Sequence, residues 1–143
     1  MSGVFGHKIY NGNRYFYESM NAPINMLSTV VNAWTPENTH TDIPRAVNGD
    51  PNGNSRESER FLENGSFVRL RQAQIGYTLP VSLLKKVKIE KLRFYISGDN
   101  LFTITGYSGV DPEFSTSSPL NSGVDRYIYP FTRSYTVGAQ LTF

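Results

Sequence analysis

The 143-residue chain contains no cysteine. That excludes a disulfide scaffold, a thiolate zinc site and a cysteine nucleophile. It has only two histidines, His7 and His40, so any imidazole chemistry must use one of them. Charged residues make up 18%, below the roughly 25% usual in soluble domains. The formal net charge is +2, too small to argue for nucleic acid or an anionic lipid surface. No apolar run approaches the eighteen or so residues of a membrane-spanning helix. Barrel strands alternate and score low on hydropathy, so a membrane barrel stays open. Met1 to Lys8 lacks the apolar stretch and cleavage site of a secretory signal. The expectation is a cytosolic chain or a Met1 that is not the true start.

What the chain does have is aromatic residues, 13% of the total, with nine Tyr and nine Phe. They suit a sheet or a membrane interface, where tyrosine offers an apolar body and a polar tip. The most regular pattern lies at the end. Tyr135, Val137, Ala139, Leu141 and Phe143 alternate with Ser134, Thr136, Gly138, Gln140 and Thr142. Period two puts the first set on one face of a strand. An amphipathic edge strand of a soluble sandwich has this pattern too. An ending on an aromatic residue after such a strand resembles the signal read by the barrel-assembly machinery of outer membranes. The spacing predicts a strand over 127–143. About eleven residues at roughly 3.3 Å rise, tilted near 45°, cover about 25 Å, the height of a barrel's apolar band.

Two more strands are expected. Over 91–105, Leu92, Phe94, Ile96, Phe102 and Ile104 share a face, with Asn100 and Leu101 out of pattern. Over 66–79, Val68 and Leu70 fall out of phase with Ala73, Ile75, Tyr77 and Leu79, which predicts either a β-bulge near Arg71-Gln72 or a rim segment that faces protein rather than lipid. The connection 80–90 is short, with one helical turn after Pro80. That at 106–126 is long and rich in Ser, Pro, Gly and Asp. Short periplasmic turns and long extracellular loops are the usual barrel asymmetry. Residues 1–8 read as the end of an earlier strand. Residues 9–65 read as an external loop, with a helix within 13–34 that Pro23 breaks or starts.

Candidate chemistry is sparse. His7 and His40 read as loop residues. Asp50-x-Asn52-x-Asn54 begins like a calcium loop, but Ser55 stands where glycine is needed and Phe61 where glutamate is needed, so it reads as a polar turn. Asp111 and Glu113 have the chemistry to bind a cation or sugar hydroxyls, and their plainer role is turn chemistry beside Pro112. Lys85, Lys86 and Lys88 form a small basic run that reads as solvated. Trp34, Tyr127, Tyr129 and Phe131 suit girdle or helix-packing positions better than sugar stacking. No catalytic, cofactor-binding or metal residue is assigned, and the chain is not expected to be an enzyme.

Five stretches together carry a family resemblance. They are Trp34-Thr35-Pro36-Glu37-Asn38-Thr39 with Thr41-Asp42-Ile43-Pro44-Arg45, then Arg60 to Leu70, Ile75-Gly76-Tyr77-Thr78-Leu79-Pro80, Leu92 to Thr103 with Asn100-Leu101-Phe102, and Tyr107 to Glu113. In this order they resemble the C-terminal segment of SusC/RagA-like TonB-dependent outer-membrane receptors. The resemblance implies a mainly β fold: the last strands and extracellular loops of an antiparallel transmembrane barrel of about 22 strands with a plugged lumen. The family's plug domain is not in this sequence. The resemblance also implies an outer-membrane importer of oligosaccharides or peptides in a Gram-negative bacterium. Its partners would be a SusD-like surface lipoprotein, TonB, the barrel-assembly machinery and membrane lipid. The rival readings are a barrel enzyme or adhesin, an orphan fragment without function, and a soluble β-rich binding domain.

Overall fold

The computed structural model describes residues 1–21, 23–84, 89–114 and 119–143. The basic run at Lys85, Lys86 and Lys88 lies outside them. In chain order the elements are β1 (Ser2–Val4), β2 (Lys8–Asn11), α1 (Gly12–Glu18), β3 (Leu62–Asn64), β4 (Phe67–Thr78), α2 (Val81–Leu84), β5 (Lys91–Thr105), β6 (Val124–Asp125) and β7 (Ser134–Thr142). They form two compact units. One holds 1–5, 67–105 and 131–143, and the other holds 6–66 and 106–130.

The first unit is an antiparallel sheet in the order β1-β4-β5-β7. Its register aligns the alternating residues into rows. Ala73–Gly98–Tyr135, Ile75–Ile96–Val137 and Tyr77–Phe94–Ala139 share one face. Gln72–Asp99–Ser134, Gln74–Ser97–Thr136 and Thr78–Arg93–Gln140 share the other. A one-residue slip would exchange the faces, so the pattern fixes the register. The apolar face is bare: Ile75 is 81% exposed and Val137 79%. Exposed apolar area this continuous marks a surface that meets something other than water.

Two glycines of this sheet make room for neighbours. A Cβ on Gly138 would lie 2.5 Å from the ring of Tyr95, its cross-strand partner. A Cβ on Gly98 would lie 2.5 Å from Leu101. Leu101 therefore covers the backbone at Gly98, which explains why it breaks the strand's alternation. A bulge falls at this place but on the other strand, so it does not reconcile the phase of β4: Val68 and Leu70, paired with Ile104 and Phe102, share the face of Gln72 and Gln74. Leu70 pairs with Phe102 and Gln72 with Asp99, so Arg71 opposes both Asn100 and Leu101. Asn100 takes the left-handed conformation (φ 51°), and its amide donates to the Thr132 carbonyl at 3.0 Å. Asparagine tolerates that conformation through such local hydrogen bonds.

The strand expected from residue 127 starts only at Ser134. Tyr127 has φ 56°, and Pro130 has no N–H to donate to a ladder. The stretch expected as the end of a strand, 1–8, splits instead. β1 pairs with β4, Gly6 turns the chain at φ 77°, and β2 enters the second unit.

The second unit contains a small sheet in the order β3-β2-β6, which alternation did not reveal because its strands are only two to four residues long. Phe61 and Ile9, each 1% exposed, anchor its core, with Tyr10 and Tyr15 packed against the Phe61 ring. The helix expected within 13–34 is confined to α1. Asn11 caps it by accepting from the Arg14 N–H at 2.9 Å. It ends where the Ser19 hydroxyl donates back to the Phe16 carbonyl and Met20 turns left-handed (φ 53°). Residues Ser28–Asn32 form a separate 3-10 turn.

Candidate functional site

The second unit is joined by polar groups far apart in sequence. Glu18, 1% exposed, sits at the end of α1. It accepts from Arg14 Nε at 3.0 Å, Thr29 Oγ1 at 2.9 Å and Arg60 Nη2 at 2.5 Å. Glu63 on β3 accepts from the Ser108 N–H at 2.9 Å, the Ser108 hydroxyl at 2.8 Å and Asn11 Nδ2 at 3.1 Å. Burial would raise the Glu63 carboxyl, but these hydrogen bonds and the nearby Arg14 charge outweigh it and hold the group below the usual carboxylate value. Asp125 accepts from the Tyr107 hydroxyl at 2.6 Å and Asn13 Nδ2 at 3.3 Å. Burial, then the Asp125 hydrogen bond and charge, push the Tyr107 phenol well above its ordinary range. Asn13 Oδ1 in turn accepts from the Tyr127 N–H at 3.0 Å.

A groove of about 840 Å³ opens on this cluster. Leu27, Val110, Tyr127, Tyr129 and Pro130 give it an apolar wall, while Glu18 and Glu63 lie beneath. Its volume falls within the usual range of ligand pockets. Tyr127 holds its left-handed backbone with the ring 64% exposed. For a bulky residue that conformation is a genuine outlier, and such outliers gather at functional sites.

None of Asn11, Asn13, Glu18, Glu63 or Asp125 was assigned from sequence. Each is an ordinary polar residue with no periodic pattern around it, and partners lie up to 114 positions away. The capping position of Asn11 is the one local signal. Tyr127 and Tyr129, expected on a strand or at a girdle, line the groove. Among the described residues, no group of three His, Asp or Glu side chains is placed to hold a metal ion. Asp50 instead accepts from the Asn54 and Ser55 N–H groups and the Ser55 hydroxyl, closing a turn.

No family model matches the chain. Individual relatives do. TonB-dependent receptor P3 of Formosa agariphila is 39% identical over 125 residues, which is 83% of this chain and 12% of that protein. TonB-dependent receptor SusC of Bacteroides thetaiotaomicron is 32% identical over 88 residues, covering 60% of this chain and 8% of SusC. A chain of the RagAB peptide importer in its open-open state superposes with a TM-score of 0.82 at 33% identity, covering 99% of this chain and 15% of that one. The chain belongs to the SusC/RagA-like TonB-dependent receptors. It spans less than a sixth of the length of these relatives and is a C-terminal part of their barrel.

The family positions of this receptor segment fall into two groups. Trp34 to Arg45 build a self-contained turn. The Asn38 N–H donates to the Thr35 carbonyl, and its amide to the Asn32 and Ala33 carbonyls. The Trp34 N–H donates to Ile43, which is buried, while Thr35, Pro36, Glu37, Asp42 and Arg45 face solvent and Pro44 is half-buried. His40 is exposed nearby. Those at 75–80 and 92–103 belong to the first unit with its four-stranded sheet, while 60–66 and 107–113 belong to the second unit. Arg93 covers Gly76, Tyr77 pairs with Phe94, and Asn100, Leu101 and Phe102 form the bulge and the pair that follows it. Tyr135, Val137, Ala139 and Leu141 share the apolar face of β7, and Phe143 follows it, 80% exposed.

Proposed function

We propose that this segment is part of an outer-membrane active importer of oligosaccharides or peptides, capped by a SusD-like lipoprotein and energised through TonB. The observation that carries this reading is the bare apolar face of the sheet, set in register across β4, β5 and β7, in a segment similar along nearly its whole length to a peptide importer. In a barrel wall that face meets lipid and the polar face meets the lumen. The unpaired edges of β1 and β7 are then closed by neighbouring strands. The units 6–66 and 106–130 serve as extracellular loops. Tyr135, Val137, Ala139, Leu141 and Phe143 act as the signal for the barrel-assembly machinery.

The relatives are named as receptors and transporters, which supports a non-enzymatic role. The test is growth and uptake by cells carrying the full-length receptor. The reading expects it in the outer-membrane fraction, with uptake of peptides or oligosaccharides that is lost when TonB is removed. A receptor in the soluble fraction, or uptake indifferent to TonB, contradicts it.

A further inference from the structure

We propose that the groove walled by Leu27, Val110, Tyr127, Tyr129 and Pro130 is a subsite for one bulky apolar side chain of a peptide. The inference rests on the importer reading and adds what this part of the receptor selects.

The argument starts from which polar groups are already engaged. Asn11, Asn13, Glu18, Glu63 and Ser108 line the groove. Asn11, Glu63 and Ser108 bond to one another, Asn13 bonds to Asp125 and the Tyr127 N–H, and Glu18 is held by Arg14, Arg60 and Thr29. What they present to a ligand is mostly the apolar wall above them. A sugar there would compete with these existing bonds for most of its hydroxyls, which is costly. An apolar side chain loses no hydrogen bond and gains its transfer from water. The two carboxylates there, Glu18 and Glu63, are already matched by the guanidinium groups of Arg14 and Arg60. No charge is left over to receive an acidic side chain, whose own desolvation is costly.

The wall is built before any ligand arrives. Asn13 pins the Tyr127 backbone in its left-handed conformation, and Phe16 packs edge-on against the Tyr127 ring at 6.1 Å. A Tyr127 ring held in this way binds without ordering itself first. Val110 and Tyr129 are 70% and 83% exposed, so changing either disturbs little of the core.

The test uses the full-length receptor in detergent and pentapeptides Ala-Ala-X-Ala-Ala, with X as Phe, Leu, Ser or Asp. The proposal expects the Phe and Leu peptides to bind about tenfold or more tightly than the Ser and Asp peptides. Val110→Arg and Tyr129→Ser should each remove most of that preference. Val31→Arg, exposed and outside the groove wall, should keep it. Equal affinities for all four peptides would overturn the proposal, as would a preference that survives both groove variants. So would maltohexaose binding that Val110→Arg abolishes, which would make the groove a glycan site. Wild-type receptor that imports in a TonB-dependent way yet shows no preference defeats this inference alone. Wild-type receptor absent from the outer membrane defeats the importer reading itself.

Discussion

Glu18 is buried against two guanidinium groups, Arg14 at 3.0 Å and Arg60 at 2.5 Å. Removing the carboxylate takes the ion-pair partner of Arg60 away and leaves Arg14 with only Glu63 at 3.5 Å. Glu18→Ala should destabilise the unit 6–66 with 106–130 by about 3–5 kcal/mol, the usual effect of breaking a buried pair. In the full-length receptor, limited proteolysis should then cut this unit at least tenfold faster while the barrel stays intact. Unchanged protection would mean that the cluster does not hold the unit together. Glu63 gives a pH dependence. Its folded value is lowered, so its stabilisation is complete above the ordinary 4.5 and is lost as pH falls through the lowered value. Pepsin nicking of the unit should rise in that acid window, and Glu63→Gln should abolish the step. None of this was legible in the sequence. Asn13 and Asp125, or Glu63 and Ser108, meet only because the chain returns from distant positions, and no periodicity records such a meeting.

At the scale of elements, the sequence carried more. Alternation located β4, β5 and β7 because a sheet with one apolar face needs a strict period of two. The phase change in β4 pointed to the right place, but there β4 runs on regularly and its apolar residues change face, while the bulge sits on β5. The strand bearing the extra residues was not legible, since either partner can carry them. Asn100 and Leu101, the misfits of β5, were the evidence for it. The start of β7 and the end of α1 were misplaced for a related reason: left-handed Tyr127 and Met20 turn the chain near them without a glycine to announce it. The glycine positions supply a prediction. Gly138→Val puts a side chain into the Tyr95 ring. It should lower the temperature at which the full barrel loses its heat-modifiable gel migration. Tyr95→Ala in the same background should restore part of the loss. No restoration would show that the contact does not limit the sheet.

At the scale of the whole molecule, the sheet is open at β1 and β7 and bare on its apolar face. Residues 1–143 alone should aggregate or stay partly disordered in buffer, since few strands cannot close an edge or bury that face. A cooperative melt without detergent would contradict this. Phe143→Ala should lower the amount of assembled receptor while leaving uptake per assembled molecule unchanged. Normal surface levels with lost uptake would contradict the assembly role of the terminal strand.

The most direct test of the barrel reading is the orientation of β7 in a bilayer. This segment has no cysteine, so in a full-length receptor whose other cysteines are replaced, single cysteines at positions 135 to 141 can carry a fluorophore, with nitroxide lipids as quencher. The account predicts strong quenching at Tyr135, Val137, Ala139 and Leu141, and weak quenching at Thr136, Gly138 and Gln140. Uniform quenching, or the opposite phase, would contradict it.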